Sequence, residues 1–489
     1  MYEFSRRAFL KGLGKSTAAL GIGMSLGTGD LHARERSERK IKKMSGNKGF
    51  SKNIDLIAYH DLNEKPGFQM AMQKVKGRYY LYITSRASPG WHIMDVTEPS
   101  NPKYVRFIEG PPDVGTLKMQ IADGIMITTV HSATYPIPSE GSVEGIYIWD
   151  VKEDPENPKL LSHWSTGESS GMTHRSFYSG GRYVHLSSTC KGFSAMIYRI
   201  IDIIDPHNPV EVGRWWRQDQ WLAGYTPSER EAYLNSKDDQ PDVVWAGIHG
   251  PPYVKENLVY SGWGDAGMLI HDISDITLPQ LVGQVKHHPP FAGRMCGAWC
   301  HTVLPLSQRP YAVMTSEGER FPLFTKAILE KRPRQPMALF GIVDVSDPTT
   351  PTLISTFPYP EVPEGFPYKN FNDCGIGVPG PFGPHNLHEP GDRPVLEDRN
   401  DRIYCCYFHA GLRIYDISDP FVPKEIAYYI PPNPTKWLHG EPADPTEFHL
   451  NARPPGPMIA TTEDVIVDNR GNIFMDTYHD GLYVLRCSV

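Results

Sequence analysis

The chain has no G-x-S-x-G elbow, no phosphate-cradling glycine loop, no H-E-x-x-H pair and no dinucleotide glycine fingerprint. The large enzyme classes that rely on those motifs are therefore poor first readings. Cysteine is sparse, with seven residues in 489 (Cys190, Cys296, Cys300, Cys374, Cys405, Cys406 and Cys487), none spaced as C-x-x-C. That disfavours a zinc ribbon or a thioredoxin-type redox pair, and the odd count leaves at least one thiol unpaired. No apolar run is long enough for a clear membrane span; "STAALGIGMSLGTG" (residues 16–29) is short and rich in glycine. Basic charge is scarce outside the first residues. Residues 1–48 hold eleven Lys/Arg against four Asp/Glu, a balance of +7 in a chain of net −7, so residues 49–489 carry −14. Phosphate backbones need a basic stripe, and an acidic body of this kind excludes nucleic acid as the expected partner.

What the chain does have is glycine (44), proline (45) and aromatics (11%), a mixture suited to short strands joined by tight turns. It also has an internal repeat. "GWHIMDVTEPSNPKYVRFI" from Gly90 returns as "GIYIWDVKEDPENPKLLSHW" from Gly145, then from Arg199, Gly267, Phe340 and Phe408, and "DGLYVLRCSV" from Asp480 is a seventh, shortened copy. Each copy alternates apolar and polar residues, enters a D-x-x-D-P-x-x-P type turn and leaves in a second alternating run. With a further strand pair upstream of each, the unit is four strands repeated every 40–50 residues plus insertions. This predicts an all-β fold, a seven-bladed β-propeller of four-stranded antiparallel blades over residues 49–489. The last copy lacks its fourth strand, and "IDLIAYHDL" (Ile54 to Leu62) matches the missing pattern. An N-terminal strand is thus expected to close the ring and remove an exposed edge.

Residues 1–48 read as an export signal and polar linker. Arg6-Arg7 with Phe9-Leu10-Lys11 resembles a twin-arginine signal, which implies the twin-arginine export machinery as a partner and a periplasmic or cell-surface location. Ala33 is a candidate for the last residue removed, but Leu31 fits a cleavage site poorly, so an uncleaved anchor stays open. The repeats, best formed at Gly411–Pro423, resemble the LVIVD-repeat family of exported bacterial propellers, centred on G-L-x-I-x-D-V-S-D-P-x-x-P. The resemblance implies the fold and an exported protein. It implies no activity, because the family has no single established function.

Blade topology sorts the insertions. The D-x-x-D-P turns share one face, the bottom. The long connections at Trp215–Ala246, Val285–Trp299, Pro358–Pro384, Pro431–Thr461, His131–Glu144 and Ser316–Met337 all belong to the top, while Glu389–Asp401 is the one long bottom turn. Loop variation gathers where function sits, so the top face is expected to carry it. Its inserts are aromatic and rich in proline and glycine, suited to walling a pocket for a small-molecule substrate or gripping a protein or glycan.

The first residue of each blade's inner strand should point to the top of the central channel. Reading that position gives His174, His249, His301 and His385 in four consecutive blades, with His388 close by, then Glu463 and Asp464; blades one and two offer Gln73 and Gln120. Converging imidazoles suit a transition metal such as iron, copper, zinc or manganese. The four histidines are the expected ligands, with His388, Glu463 and Gln120 as orienting partners or alternatives. The arrangement is similar to the axial four-histidine iron site of carotenoid cleavage oxygenases and to metal-dependent methanethiol oxidases of the selenium-binding-protein type. Neither likeness reaches the sequence motifs, so it implies a metal and no substrate. Two other readings stay open: histidines that only cap backbone, and a metal-free pocket with a histidine acid or base. The leading expectation is an oxidoreductase acting on a small organic molecule; the alternative is a non-catalytic binding or scaffold propeller. The run Cys296-x3-Cys300-His301 sets a thiol beside a ring histidine as a candidate ligand or nucleophile, or as a disulfide partner of Cys374; Cys405 and Cys406 read as core residues, and His409 is expected at the rim.

Overall fold

Alternating segments such as Gly145–Asp150 (GIYIWD) and Met196–Asp202 (MIYRIID) bury their apolar residues on both faces, as strands inside a stack of sheets must. A computed structural model describes residues 49–489 except 86–87, 113, 133–142, 168–170, 225, 227, 230–246, 265, 287–299, 318–338, 372–381 and 437–458. The strands form seven four-stranded antiparallel sheets, and the protein is a seven-bladed β-propeller. Blades one to five each use four strands consecutive in the chain. The residues expected to form an export signal lie outside the described part, as do most of the top-face insertions. Among the described residues, no helix is long and apolar enough to cross a membrane.

The bottom turns do two jobs. In six blades the first aspartate of the turn accepts a hydrogen bond from the backbone N–H two residues on: Asp95, Asp150, Asp202, Asp272, Asp344 and Asp416, at 2.7–3.0 Å. The side chain thereby stands in for a backbone acceptor and sets the turn. The same turns then dock on the preceding blade. Ser162 and Ser355 hydroxyls donate to the carbonyls of Pro206 and Pro420 in the next blade's turn, each at 2.6 Å. Gly283 serves the same contact without a side chain, since a Cβ there would lie 1.9 Å from the Pro348 carbonyl oxygen. Apolar side chains fill the wedges between blades; Met70 and Leu81 of blade one, for example, share a cluster with Phe474 and Val484 of blade seven.

Closure follows the expectation and exceeds it. Strand β1 (Phe50–Lys52) and strand β2 (Ile54–His60) precede blade one. Strand β2 pairs antiparallel with Leu482–Cys487 and completes blade seven. Strand β1 pairs with Lys424–Ile430 and adds an outer strand to blade six, a contact with no signal in the repeat pattern. The inner segment of blade six is irregular, held by His385 N–H to Cys406 C=O (2.8 Å) and His388 N–H to Tyr404 C=O (3.0 Å). A chain starting at Lys65 would leave the outer edges of two blades bare. It is expected to aggregate, or to melt at least about 10 °C below the full chain in a thermal scan followed by circular dichroism.

Several histidines are core. His271 is enclosed by Trp215, Trp263 and Tyr198, and neither ring nitrogen has a hydrogen-bond partner among the described residues. Burial holds its pKa down at about 3. The unfolded chain takes up a proton near pH 6.5 that the folded state refuses, so this group's stabilising contribution is present above pH 6.5 and lost as pH falls toward 3. The slope is about 1.4 kcal/mol per pH unit. His271→Leu is therefore expected to lower the acid sensitivity of unfolding by one proton's worth, measured as urea stability at pH 7, 6 and 5.

Candidate metal centre

In five blades the top of the inner strand carries a bulge, and two of the histidines sit in one. The register slips between Thr173 and Arg175 in blade three and between Cys300 and Thr302 in blade five, so His174 and His301 are themselves the extra residues. In blade seven the slip between Thr462 and Val465 inserts Glu463 and Asp464. A bulge bends the strand and re-aims its side chains, here at the axis. His249 precedes the inner strand of blade four, where close backbone approach shapes the seam. A Cβ at Gly250 would lie 1.9 Å from the His301 carbonyl oxygen.

The four predicted histidines come together. Ring centroids are 4.1 Å apart for His174–His249, 4.8 Å for His249–His301 and 5.5 Å for His301–His385. Donor atoms of His174, His249 and His301 lie within 4.8 Å of one another, as do those of His301, Glu317 and His385. Glu317, at the start of the long blade-five insertion, joins the cluster without a sequence signal. Its carboxylate is 3.7 Å from His385 Nε2 and 4.0 Å from His249 Nδ1. Metal–nitrogen bonds of about 2.0–2.1 Å put ligand nitrogens about 3.4 Å apart around a tetrahedral centre, so binding would draw the rings in by about 1 Å.

Ring orientation is fixed from outside the cluster. The His385 Nδ1 lies 3.1 Å from the Glu463 carbonyl oxygen and 3.4 Å from its carboxylate, and the His301 Nδ1 lies 2.7 Å from Thr302 Oγ1. These contacts assign any metal bond on the two rings to Nε2. Burial, then the neighbouring His249, holds the His301 pKa well below its ordinary value, which keeps the ring neutral and able to ligate. A donor set of four imidazoles and a carboxylate fits a first-row transition metal.

Three expectations are corrected. Gln120 is not brought to the histidines. Its partner across the sheet is Ile127, close to the turn at the lower end of the strand, and its amide meets Arg393 and Glu389. Gln73 lies at the same low level, bonded to the Tyr82 hydroxyl and the Val151 carbonyl. The bulge positions of blades one and two hold Phe68 and Gln69, and Thr116 and Leu117, instead. His388 is also elsewhere: its Nδ1 accepts from Val467 N–H (3.2 Å) and its Nε2–H donates to the Glu397 carbonyl (2.7 Å), tying blade six to its bottom loop and to blade seven. His409 is buried rather than at a rim, bonded to the Phe371 carbonyl inside a cage of Phe366, Tyr368 and Phe371. Cys300, Cys405 and Cys406 are buried thiols, and burial pushes all three up in pKa, away from the reactive thiolate. Cys296, Cys374, His287 and His288 lie outside the described residues.

The LVIVD repeat model matches residues 253–287 and 339–358, which cover blade four and the outer hairpin of blade five. The chain is a seven-bladed β-propeller that carries LVIVD repeats in those two segments. No curated protein matches it. Among solved structures it is similar to the β-propeller domain of Cps50 (Swd1) from Myceliophteria thermophila, at 10% identity and a TM-score of 0.44 over 86% of this chain and 96% of that one. A protein from Lactobacillus plantarum aligns at 10% identity and TM-score 0.43 over 80% and 88%. The computationally designed Ika8 protein aligns at 9% and 0.43 over 86% and 97%.

His388→Ala separates the structural histidine from the cluster. It strands two buried backbone groups and is expected to cost about 2–4 kcal/mol in urea unfolding, with bound-metal content unchanged.

Proposed function

We propose that this propeller binds one transition-metal ion at the top of its central channel and acts as an oxidoreductase on a small organic molecule. The observation that carries the reading is the convergence of His174, His249, His301 and His385 from four consecutive blades, joined by Glu317. Iron, copper or manganese held there would supply one-electron chemistry, and zinc only Lewis acidity. The chain's own part is to hold and orient. Glu463, fully buried, anchors the His385 ring, and Glu317 adds a negative charge that offsets part of the ion's. The twin-arginine-like start supports an exported, periplasmic or surface setting.

A second reading rests on the edge of blade three. Phe193, Trp216 and Trp221 pack at 4.8–6.3 Å, yet Trp216 and Trp221 stay 38% and 47% exposed, the kind of aromatic surface that grips a protein or glycan. Elemental analysis of the purified protein decides between the two. The expected result is one metal per chain, lost in His249→Ala/His301→Ala with the circular dichroism spectrum intact, and 10–100-fold weaker in Glu463→Gln, on the scale of about 10–100-fold seen for ligand-orienting partners. A protein without metal after growth in iron, copper, zinc and manganese overturns the metal reading and leaves the binding propeller.

A further inference from the structure

Directly after the bulged His174, Arg175 reaches across the channel. Its Nη2 donates to Asn386 Oδ1 on blade six, and Asn386 is held by its own Nδ2 donating to the Glu463 carbonyl (2.9 Å). The guanidinium is fully buried, and its Nε and Nη1 have no hydrogen-bond partner among the described residues. A guanidinium does not shed its proton in a protein, so burial leaves it charged with donors unmet. A second cation is close to the same space. Lys118, 1% exposed, follows the bulge of blade two as Arg175 follows that of blade three, and its Nζ lies 3.7 Å over the Phe68 ring. Phe68 in turn stands edge-on to His385 at 6.1 Å.

Asp464 and Asp476 do not answer Arg175, and Glu389 acts on Asp464 and Tyr253 from the same neighbourhood. Asp464 spends Oδ2 on Met70 N–H (2.8 Å), and Asp476 Oδ1 accepts from Asp464 N–H (2.9 Å). Both are buried, and burial pushes both up in pKa, Asp464 to about 7, although Arg175 and Lys118 pull it down. Neither forms an ion pair with Arg175. Two buried cations thus act on the same carboxyl group, and the Nε and Nη1 donors of Arg175 stay unmet among the described residues.

We infer that Arg175 and Lys118 form an anion site just beneath the histidines, which takes a small oxyanion through the unmet Nε and Nη1 donors of Arg175. The chemical class is a carboxylate, carried by an organic substrate, or a free inorganic oxyanion of similar size. That the anion is the substrate's anchoring group rests on the metal reading above; the anion site itself does not. Charge-assisted bonds from a pre-positioned guanidinium favour oxyanions over neutral isosteres of the same shape.

The test uses the full chain after chelator treatment, so that it reads the anion site apart from any metal. Sodium formate and sodium nitrate are titrated by calorimetry and by thermal shift, with formamide as the neutral control and chloride keeping ionic strength constant. Saturable binding of formate or nitrate, absent for formamide and weakened at least tenfold in Arg175→Met, is the expected result. Formate alone identifies a carboxylate site and both anions an inorganic one. Arg175→Met removes an uncompensated buried charge, so its melting temperature without anion should equal or exceed the wild type's, which guards against misfolding as the cause. Binding that is absent in the wild-type protein, or unchanged in Arg175→Met, overturns the inference whatever the metal content. Saturable binding in a protein that takes up no metal sustains the anion site while the metal reading falls.

Discussion

The structure depends on one small interaction repeated in six of the seven blades: an aspartate oxygen accepting the N–H two residues ahead, at the start of the turn between the outer strands. It fixes the turn that joins the outer strands, and that turn presents a carbonyl to the blade before it. The angle between blades is therefore set at the rim of the bottom face. Where the inner strands meet the axis follows from that angle. A cluster drawn from four separate blades needs each of them to arrive at the same height and direction, and no local segment could arrange this alone.

Around the axis the two halves of the channel differ. Blades three to six bring imidazoles, while blades seven, one and two bring carboxyl groups, the Phe68 ring and the Lys118 ammonium. Bulges allow this, because neighbouring residues such as His174 and Arg175 both serve the channel where strict alternation would turn one of them away. The outcome is a layered site, with histidines above and a guanidinium spanning the channel below.

The fold was legible because the repeat is written in the turns: Asp416 and Asp419 with Pro420 and Pro423 number the blades and do no chemistry. The histidines were legible by counting to one position per blade. The count failed in blades one and two because their inner strands, Gly67–Val75 and Val114–Ala122, run nine residues and carry their bulges high, leaving Gln73 and Gln120 at the lower level. His388 misled for a different reason. Three residues beyond His385, it lies where the segment has already turned toward the bottom loop, and both of its nitrogens serve backbone. Glu317 and Arg175 were invisible for want of pattern. One enters from an insertion and the other matters only through an asparagine on the opposite blade.

The paired N-terminal strands carry a consequence for how such a chain is made. Asn53 bonds to Ile426 and Ser488 bonds back to Asn53, across separations of 373 and 435 residues. Contacts of that span must wait for the loop to close and are slow to form. During synthesis the first strands leave the ribosome long before their partners exist, and they must stay unpaired while six blades are laid down. The ring can close only once Leu482–Cys487 has been made, and until then the two early strands offer their backbones to any passing chain.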